Sequence, residues 1–457
     1  MSKEKQKLSK GQRKKLAKQA AQNLSLNQNA ENVQQNLPKN KTYDRLTPPR
    51  TLNREYKKVV LTCISPVHIG SGETLKAVEY LYDSSQQTVY FLDESKWIKF
   101  LAEKNLIDEF ARYVELTAEN SVGDEEFTGN NVWNWLRSLH TKNIVQEEIS
   151  AFELKALCLR QAKAETNTII AGRKQTLNDI ACHIAKADGC PYIPGSSIKG
   201  IFRTAILYSF IKNFSDAEKN KYWAEIVATK NLSLREQQKE CNEIIQRLEN
   251  EFLSKLDYKK ADAQVNSVMR GLFVSDAFFT PARGTSQKLN TVILQKIDSS
   301  TKADRRGQTE KTLPLFRECI PSGTMFKFNV TLDLDIMGKI GIQSVEEILT
   351  MSKEFMLAAA NLLKEVFGVK YHKEFEEFEE ADAFIGGGTG FIATTLLYPL
   401  APSVEDGKNF IADYFDKIFW HSHELDDEKI SPRTLKLTKP SRDERKIFGL
   451  CKFQVKK

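Results

Sequence analysis

Met325-Phe-Lys-Phe-Asn-Val-Thr-Leu-Asp-Leu334 alternates apolar and polar residues, so Phe326, Phe328, Val330 and Leu332 fall on one face of an extended strand. Downstream the period changes, and 345–369 reads as a helix. The same two patterns recur through the chain. A β-branched run at 57–64 fits a strand, and 77–82 with 88–92 alternate around Asp83-Ser-Ser-Gln-Gln87 as a hairpin. A helix starts near Glu94, with Trp97, Phe100 and Leu101 at core spacing. Residues 105–185 read as mostly helical, with loops near 121–129 and 171–178, and 198–214 is amphipathic. A long charged helical segment over 215–260 leads to a strand at 271–279. Residues 280–322 read as irregular and basic, with one β-like piece at 291–297. Two domains that each mix strands and helices are the simplest summary, so the class is α+β and not doubly wound. The expected division is a disordered basic tail at 1–53 and two mixed domains at 54–265 and 266–457. No tandem repeat is visible.

Composition narrows the function classes. An apolar fraction of 41% and a charged fraction of 28% suit an ordinary soluble protein. No apolar run reaches the roughly 18–20 residues that span a bilayer, so no membrane partner is expected. The charged N-terminus has no apolar stretch behind it and does not read as a secretory signal. Seven scattered cysteines do not form a disulfide framework, and a reducing cytoplasmic location is the default. The net charge of +7 misleads, because residues 1–50 hold 12 Lys and Arg against Glu4, Glu31 and Asp44. Any nucleic-acid surface on the folded body must therefore be a local patch.

Four segments offer chemistry. Ser65-Pro-Val-His-Ile-Gly-Ser-Gly-Glu73 follows a strand, and Gly70 and Gly72 permit either a phosphate-nesting turn or merely a tight connection. In Ile193-Pro-Gly-Ser-Ser-Ile-Lys-Gly-Ile-Phe-Arg203, Ser196 or Ser197 is a natural N-cap after the Pro194-Gly195 break. Lys199 and Arg203 share a helix face beside a terminus whose dipole favours anions, which bare dipole energetics would discourage. A bound phosphate would explain that placement, and Gly200 inside the helix suits close approach of another backbone. Ile385-Gly-Gly-Gly-Thr-Gly-Phe391 lacks the Lys-Ser/Thr of a P-loop and has Phe391 at the third glycine of a dinucleotide fingerprint. It reads as a backbone-cradling loop or a hinge. The stretch Arg270–Lys311, including Arg283, Lys288, Lys296, Lys302, Arg305 and Arg306, is basic enough to lie along a nucleic-acid strand, or to be a solvated loop. Cys182, His183 and Cys190 are the best metal cluster but lack a second pair to close a site, so no metal or other cofactor is expected. His68 beside a glycine loop is a candidate general base.

Taken in order, these motifs resemble the RAMP proteins of CRISPR systems. Length, with the ending Ser431-Pro-Arg-Thr-Leu-Lys-Leu-Thr438 and Gly449-Leu-Cys-Lys452, is similar to the terminal backbone subunit of type III-A (Csm) effector complexes. The similarity covers about residues 56–455. It implies two ferredoxin-like (RRM-like) modules with helical insertions and glycine-rich loops. It also implies a non-catalytic subunit in antiviral defence that caps the filament of smaller RAMP subunits at the guide RNA 3′ end. Its implied partners are the guide RNA, the other RAMP subunits and a host nuclease that trims the guide during maturation. RNA-contacting positions carried over by motif are His68, Gly70, Ser71, Gly72, Ser196, Ser197, Lys199, Arg203, Gly386, Gly387, Gly388 and Gly390; Arg270 and Arg283 join them from the basic stretch. The aromatic-rich strand signature of an ordinary RRM is absent, which points to recognition of backbone and shape. Two alternatives stay open: a metal-independent RAMP endoribonuclease with His68 as base and Lys199 on the transition state, and a RAMP subunit of the Cmr-type complex.

Overall fold

The computed structural model describes residues 53–457 except 120–130, 165–168, 171–172, 175–176, 178, 259–261, 282–288, 421–422, 441–443 and 457. The expected basic tail, apart from Asn53, lies outside the described residues, as do Arg283 and Lys288.

One sheet is assembled in a strand–helix–strand–strand–helix–strand succession. Its parts are β1 (Arg54–Cys63), α1 (Gly195–Lys212), the two short strands β2 (Leu272–Val274) and β3 (Ala277–Phe279), β4 (Met325–Asp333), α2 (Val345–Phe367) and β5 (Leu450–Val455). β1 lies between β5 and β4, and β4 pairs onward with β2 and β3, all antiparallel. The fourth strand of the succession thus sits beside the first, and the first beside the third, in the split β-α-β order. Ala383–Phe384 extends the sheet beyond β5, and Tyr192–Ile193 extends it beyond β3.

The alternation seen in the sequence builds the core. Val59, Leu61 and Cys63 of β1 and Phe326, Phe328, Val330 and Leu332 of β4 are buried. They share one cluster with Ile198, Phe202 and Ile206 of α1 and Ile348, Phe355 and Met356 of α2. Each such side chain taken out of water contributes roughly 1.5–3 kcal/mol. Both helices therefore cover the same face of this sheet.

The other sheet centres on Thr291–Ser300 paired antiparallel with Glu310–Cys319. Ile180–His183 and then Gly70–Leu75 lie beyond Glu310–Cys319, while Cys158–Ala164, Thr88–Leu92 and Tyr80–Asp83 lie beyond Thr291–Ser300. This corrects the sequence reading twice: 280–322 holds two long strands, and 105–185 holds strands as well as helices. Two causes hid them. Pro314 breaks the Glu310–Cys319 pattern, and the ladder absorbs it by jumping from Gln295↔Phe316 to Ile297↔Thr312. Cys158–Ala164 and Ile180–His183 join by parallel pairing to strands more than a hundred residues away, which no local period reveals.

The expected boundary at 265 does not follow the sheets, since each takes strands from both sides of it. Antiparallel partners such as β1 and β5 lie at opposite ends of the described chain. The expected 215–260 helix is two, Asp216–Ala228 and Leu234–Leu253, each opened by a capping box on Ser215 or Ser233. Among the described residues, four helices between Glu94 and Ala156 pack a separate core around Trp97, Trp133 and Leu136 against the Tyr80–Leu92 hairpin.

Candidate nucleic-acid interface

The first and third glycine motifs meet each other. Gly387 donates its N–H to the His68 carbonyl (2.7 Å), and Gly449 donates to Pro66 (2.9 Å). Leu450 donates to Ser65 Oγ at 2.8 Å. Gly386 has φ +88°, and a Cβ there would lie 2.1 Å from the His68 carbonyl oxygen, so no other residue fits this crossing. Gly388 has φ +96°, and its Cβ would lie 2.5 Å from Arg317 Nη1. Much of the glycine content thus serves closure between chain segments, while Gly386 and Gly387 still present an exposed side.

His68 belongs to that closure. It is 5% exposed, and its Nδ1 sits 2.7 Å from the Glu318 carbonyl. Burial holds its pKa below the usual histidine value. The neighbouring His183 accepts from the Ile69 N–H on Nδ1 (3.0 Å) and has Nε2 3.1 Å from the Tyr192 carbonyl. Its pKa is pushed down to about 4 by burial, and both ring nitrogens are engaged by backbone. Glu318 is wholly buried, forks onto Arg160 at 2.8 and 2.9 Å and accepts from Thr291 Oγ and the His183 N–H. Sequence reading missed this network, although Phe316-Arg-Glu-Cys-Ile320 shows two charges inside an apolar strand. Beneath the loop, Arg317 Nη1 is buried without a hydrogen-bond partner among the described residues and lies over the Phe448 ring. Burial also lowers the pKa of Lys436, which reaches Asp298 at 3.1 Å.

The helix start is a different environment. α1 begins at Gly195 with Pro194 as N-cap and no side-chain cap, so the expected Ser196 or Ser197 cap is corrected. The Gly195 N–H instead donates to Asp276 Oδ1 at 2.7 Å. A carboxylate from 81 residues away thus occupies the first donor of the helix, a long-range partner with no local signature. The cations remain open. Ser196, Lys199, Arg203 and Arg270 line one cleft of about 660 Å³, faced by Asn242, Gln246 and Glu249 of the Leu234–Leu253 helix. Lys199 makes no ion pair among the described residues, and partial burial lowers its pKa. Arg203 is half-exposed and meets Glu249 at 3.4 Å, a surface pair that is easily exchanged. Arg270 is exposed and donates to the Val265 carbonyl at 3.0 Å. On the other side of the helix, Ser197, Gly200 and Arg203 line a second cleft of about 290 Å³ with Phe384 and Thr394, the flanks of the third glycine loop. No atom lies within 4 Å of a Cβ placed on Gly200, so the close approach expected there does not come from this chain's described residues.

Gly70, Ser71 and Gly72 lie apart, exposed on the edge strand Gly70–Leu75. The basic stretch contains the long strand Thr291–Ser300: Lys296 pairs with Asp298 and Lys302 with Asp426, while Arg305 and Arg306 lie in an exposed turn.

Known proteins share this sequence and fold. A family model described as the RAMP superfamily matches residues 60–391. The chain is 26% identical over 392 residues to a Mycobacterium tuberculosis (strain CDC 1551 / Oshkosh) protein named "CRISPR system Cms protein Csm5", covering 84% of this chain and 93% of that one. A Streptococcus thermophilus protein of the same name is 25% identical over 288 residues, 63% of this chain and 66% of that one. The fold matches, at TM-score 0.54 and 15% identity, a chain of the "Cryo-EM structure of Csm-crRNA-target RNA ternary complex in type III-A CRISPR-Cas system", covering 88% of this chain and 100% of that one.

Proposed function

The chain belongs to the RAMP superfamily, and from that premise we propose that it is a non-catalytic RNA-binding subunit of a type III-A CRISPR ribonucleoprotein. In this reading it caps the backbone filament of RAMP subunits at the guide RNA 3′ end and supports guide maturation and antiviral defence, with a host nuclease doing the trimming. The observation that carries the RNA contact is the convergence of Lys199, Arg203 and Arg270 on one open cleft beside Ser196. Cations from α1 and the Val268–Gly271 turn, of which only Arg203 has an acidic partner among the described residues and that one exposed, suit a phosphate backbone of any sequence. The curated relatives named Csm5 support the type III-A assignment. The endoribonuclease alternative is disfavoured by His68, which is 5% exposed and holds its Nδ1 on the Glu318 carbonyl.

A tagged copy purified from its host is expected to bring down guide RNA together with other RAMP subunits. Lys199→Ala with Arg203→Ala should reduce retained guide and flatten the log–log salt dependence of binding by about 0.7 for each phosphate that is no longer neutralised. Undiminished guide retention in that variant would refute the cleft. Specific cleavage of repeat RNA in EDTA, abolished by His68→Ala, would replace the binding reading with the nuclease one.

A further inference from the structure

With α1 and α2 both on one side, the other face of the first sheet carries the polar half of the alternation. Tyr56, Lys58, Val60 and Thr62 of β1 point there, opposite Thr331, Asn329, Lys327 and Met325 of β4. Phe273 pairs with Thr331, Phe278 pairs with Lys327, and Tyr192 lies beside Phe278. The rings are open: Tyr56 is 54% exposed, Phe273 48% and Phe278 46%. Tyr192 and Phe278 already stack on each other, with centroids 6.0 Å apart and planes 29° apart. An aromatic ring exposed on a sheet leaves apolar area in water, and three of them on one face, with Tyr192 half-buried beside Phe278, call for an occupant.

The charges say which. Lys58 stands between the two aromatic rows and Lys327 lies in the second row beside Phe278, and neither makes an ion pair among the described residues. Two ion pairs flank this face, Asp333 with Arg54 at 3.4 Å and Glu380 with Lys452 at 3.8 Å. The core of a protein–protein interface is depleted in lysine, whereas single-stranded RNA requires cations interleaved with flat rings. The two aromatic rows are four residues apart along β1, Tyr56 to Val60, about 13 Å at the usual rise. Such a span separates bases along one strand, with Lys58 facing the phosphates between them and Lys327 those beside Phe278.

We propose that this open face is a second RNA surface, on which unpaired bases of a single-stranded segment stack against Phe278–Tyr192 and against Phe273 and Tyr56, with Lys58 on the intervening phosphates and Lys327 on those beside the Phe278–Tyr192 stack. The proposal rests on the RNA-binding reading above but uses residues on the opposite side of the sheet from α1. It also revises the expectation from sequence. The aromatics are present, but they come from the short strands β2 and β3 and the start of β1 instead of one aromatic-rich run.

The test is binding of a labelled single-stranded RNA to the full chain across a salt series. Phe273→Ala and Phe278→Ala should each weaken binding about 5- to 100-fold, with the salt slope unchanged because stacking releases no counterions. Phe278→Tyr should retain affinity, and Lys58→Ala with Lys327→Ala should flatten the slope. Photo-crosslinked uridine should map to Tyr56 or Tyr192. Unchanged thermal unfolding of the variants confirms that folding is not what is lost, as expected for exposed rings. Full affinity in the Phe273→Ala, Phe278→Ala double variant overturns the proposal. So does intact RNA binding with lost association of other RAMP subunits, which would make the face a protein interface. If Lys199→Ala with Arg203→Ala still weakens binding in those cases, the cleft survives. If the unaltered chain binds no RNA, both readings fall.

Discussion

The loop junction and the start of α1 both use glycine, and they use it in opposite ways. At the junction, Gly386 lies against the His68 carbonyl with no room for a Cβ, and the Gly387 and Gly449 N–H groups are spent on His68 and Pro66. At the helix start, Gly200 faces open space, flanked by clefts on two sides, and Lys199 keeps its charge without an acidic partner among the described residues. A glycine-rich motif is therefore not in itself a ligand site. What separates closure from recognition is whether the backbone groups and nearby charges find their partners inside the chain. By that criterion the junction is finished, apart from Arg317 beneath Gly388, and the helix start is not.

The sharpest way to break this contrast is to remove a charge from each region. Glu318→Ala strands the Arg160 guanidinium and leaves the Thr291 hydroxyl and the His183 N–H without their acceptor. Breaking a buried pair from one side costs about 3–5 kcal/mol, readable by urea denaturation. Glu249→Ala at the helix start removes an exposed pair with Arg203 and should cost no more than about 1 kcal/mol. Similar losses at both positions would mean that the junction network is not what binds the sheets.

Acid provides a second, somewhat smaller probe. His183 accepts the Ile69 N–H on Nδ1, a bond that only the unprotonated ring can make, and burial pushes its pKa down to about 4. Between the unfolded value near 6.5 and that folded value, the unfolded chain holds a proton that the native chain refuses. The stabilisation is therefore complete above about pH 6.5 and is lost as pH falls toward 4, by up to about 3 kcal/mol. His68, lowered by burial as well, acts in the same direction. Unfolding free energies at pH 7.5, 6 and 5 should decline more steeply in the original protein than in His183→Gln, which takes up no proton. Parallel declines would show that His183 does not titrate as its contacts demand.

The two regions also differed in how much the sequence disclosed. The helix start was legible because its signals are local: Pro194-Gly195, two cations four residues apart, and a glycine inside an amphipathic period. Its cap was not, because Asp276 arrives from the connection between β2 and β3. β1, β4, the hairpin and the Glu94–Glu103 helix announced themselves by period, whereas Glu310–Cys319 was masked by Pro314 and Cys158–Ala164 by its parallel, long-range partner. The closure at the junction was not legible for the same reason. Its glycines answer to Ser65–His68, more than three hundred residues earlier, and that pairing is a property of the tertiary fold.

Gly200 carries the smallest expected change and separates closure from recognition most directly. Inside a helix, glycine costs roughly 1 kcal/mol against alanine, and nothing among the described residues lies within 4 Å of the Cβ that alanine would add. Gly200→Ala should therefore stabilise the free protein by about 0.5–1 kcal/mol, the reverse of what the crowding at Gly386 would produce. If the glycine is retained to let an RNA backbone approach α1, the same methyl must weaken guide binding while the salt slope, set by Lys199 and Arg203, stays as it was. Paired urea denaturation and RNA titration decide it. A gain in stability with RNA affinity unchanged would mean that no backbone comes close to Gly200, and the grip would then rest on the cations alone.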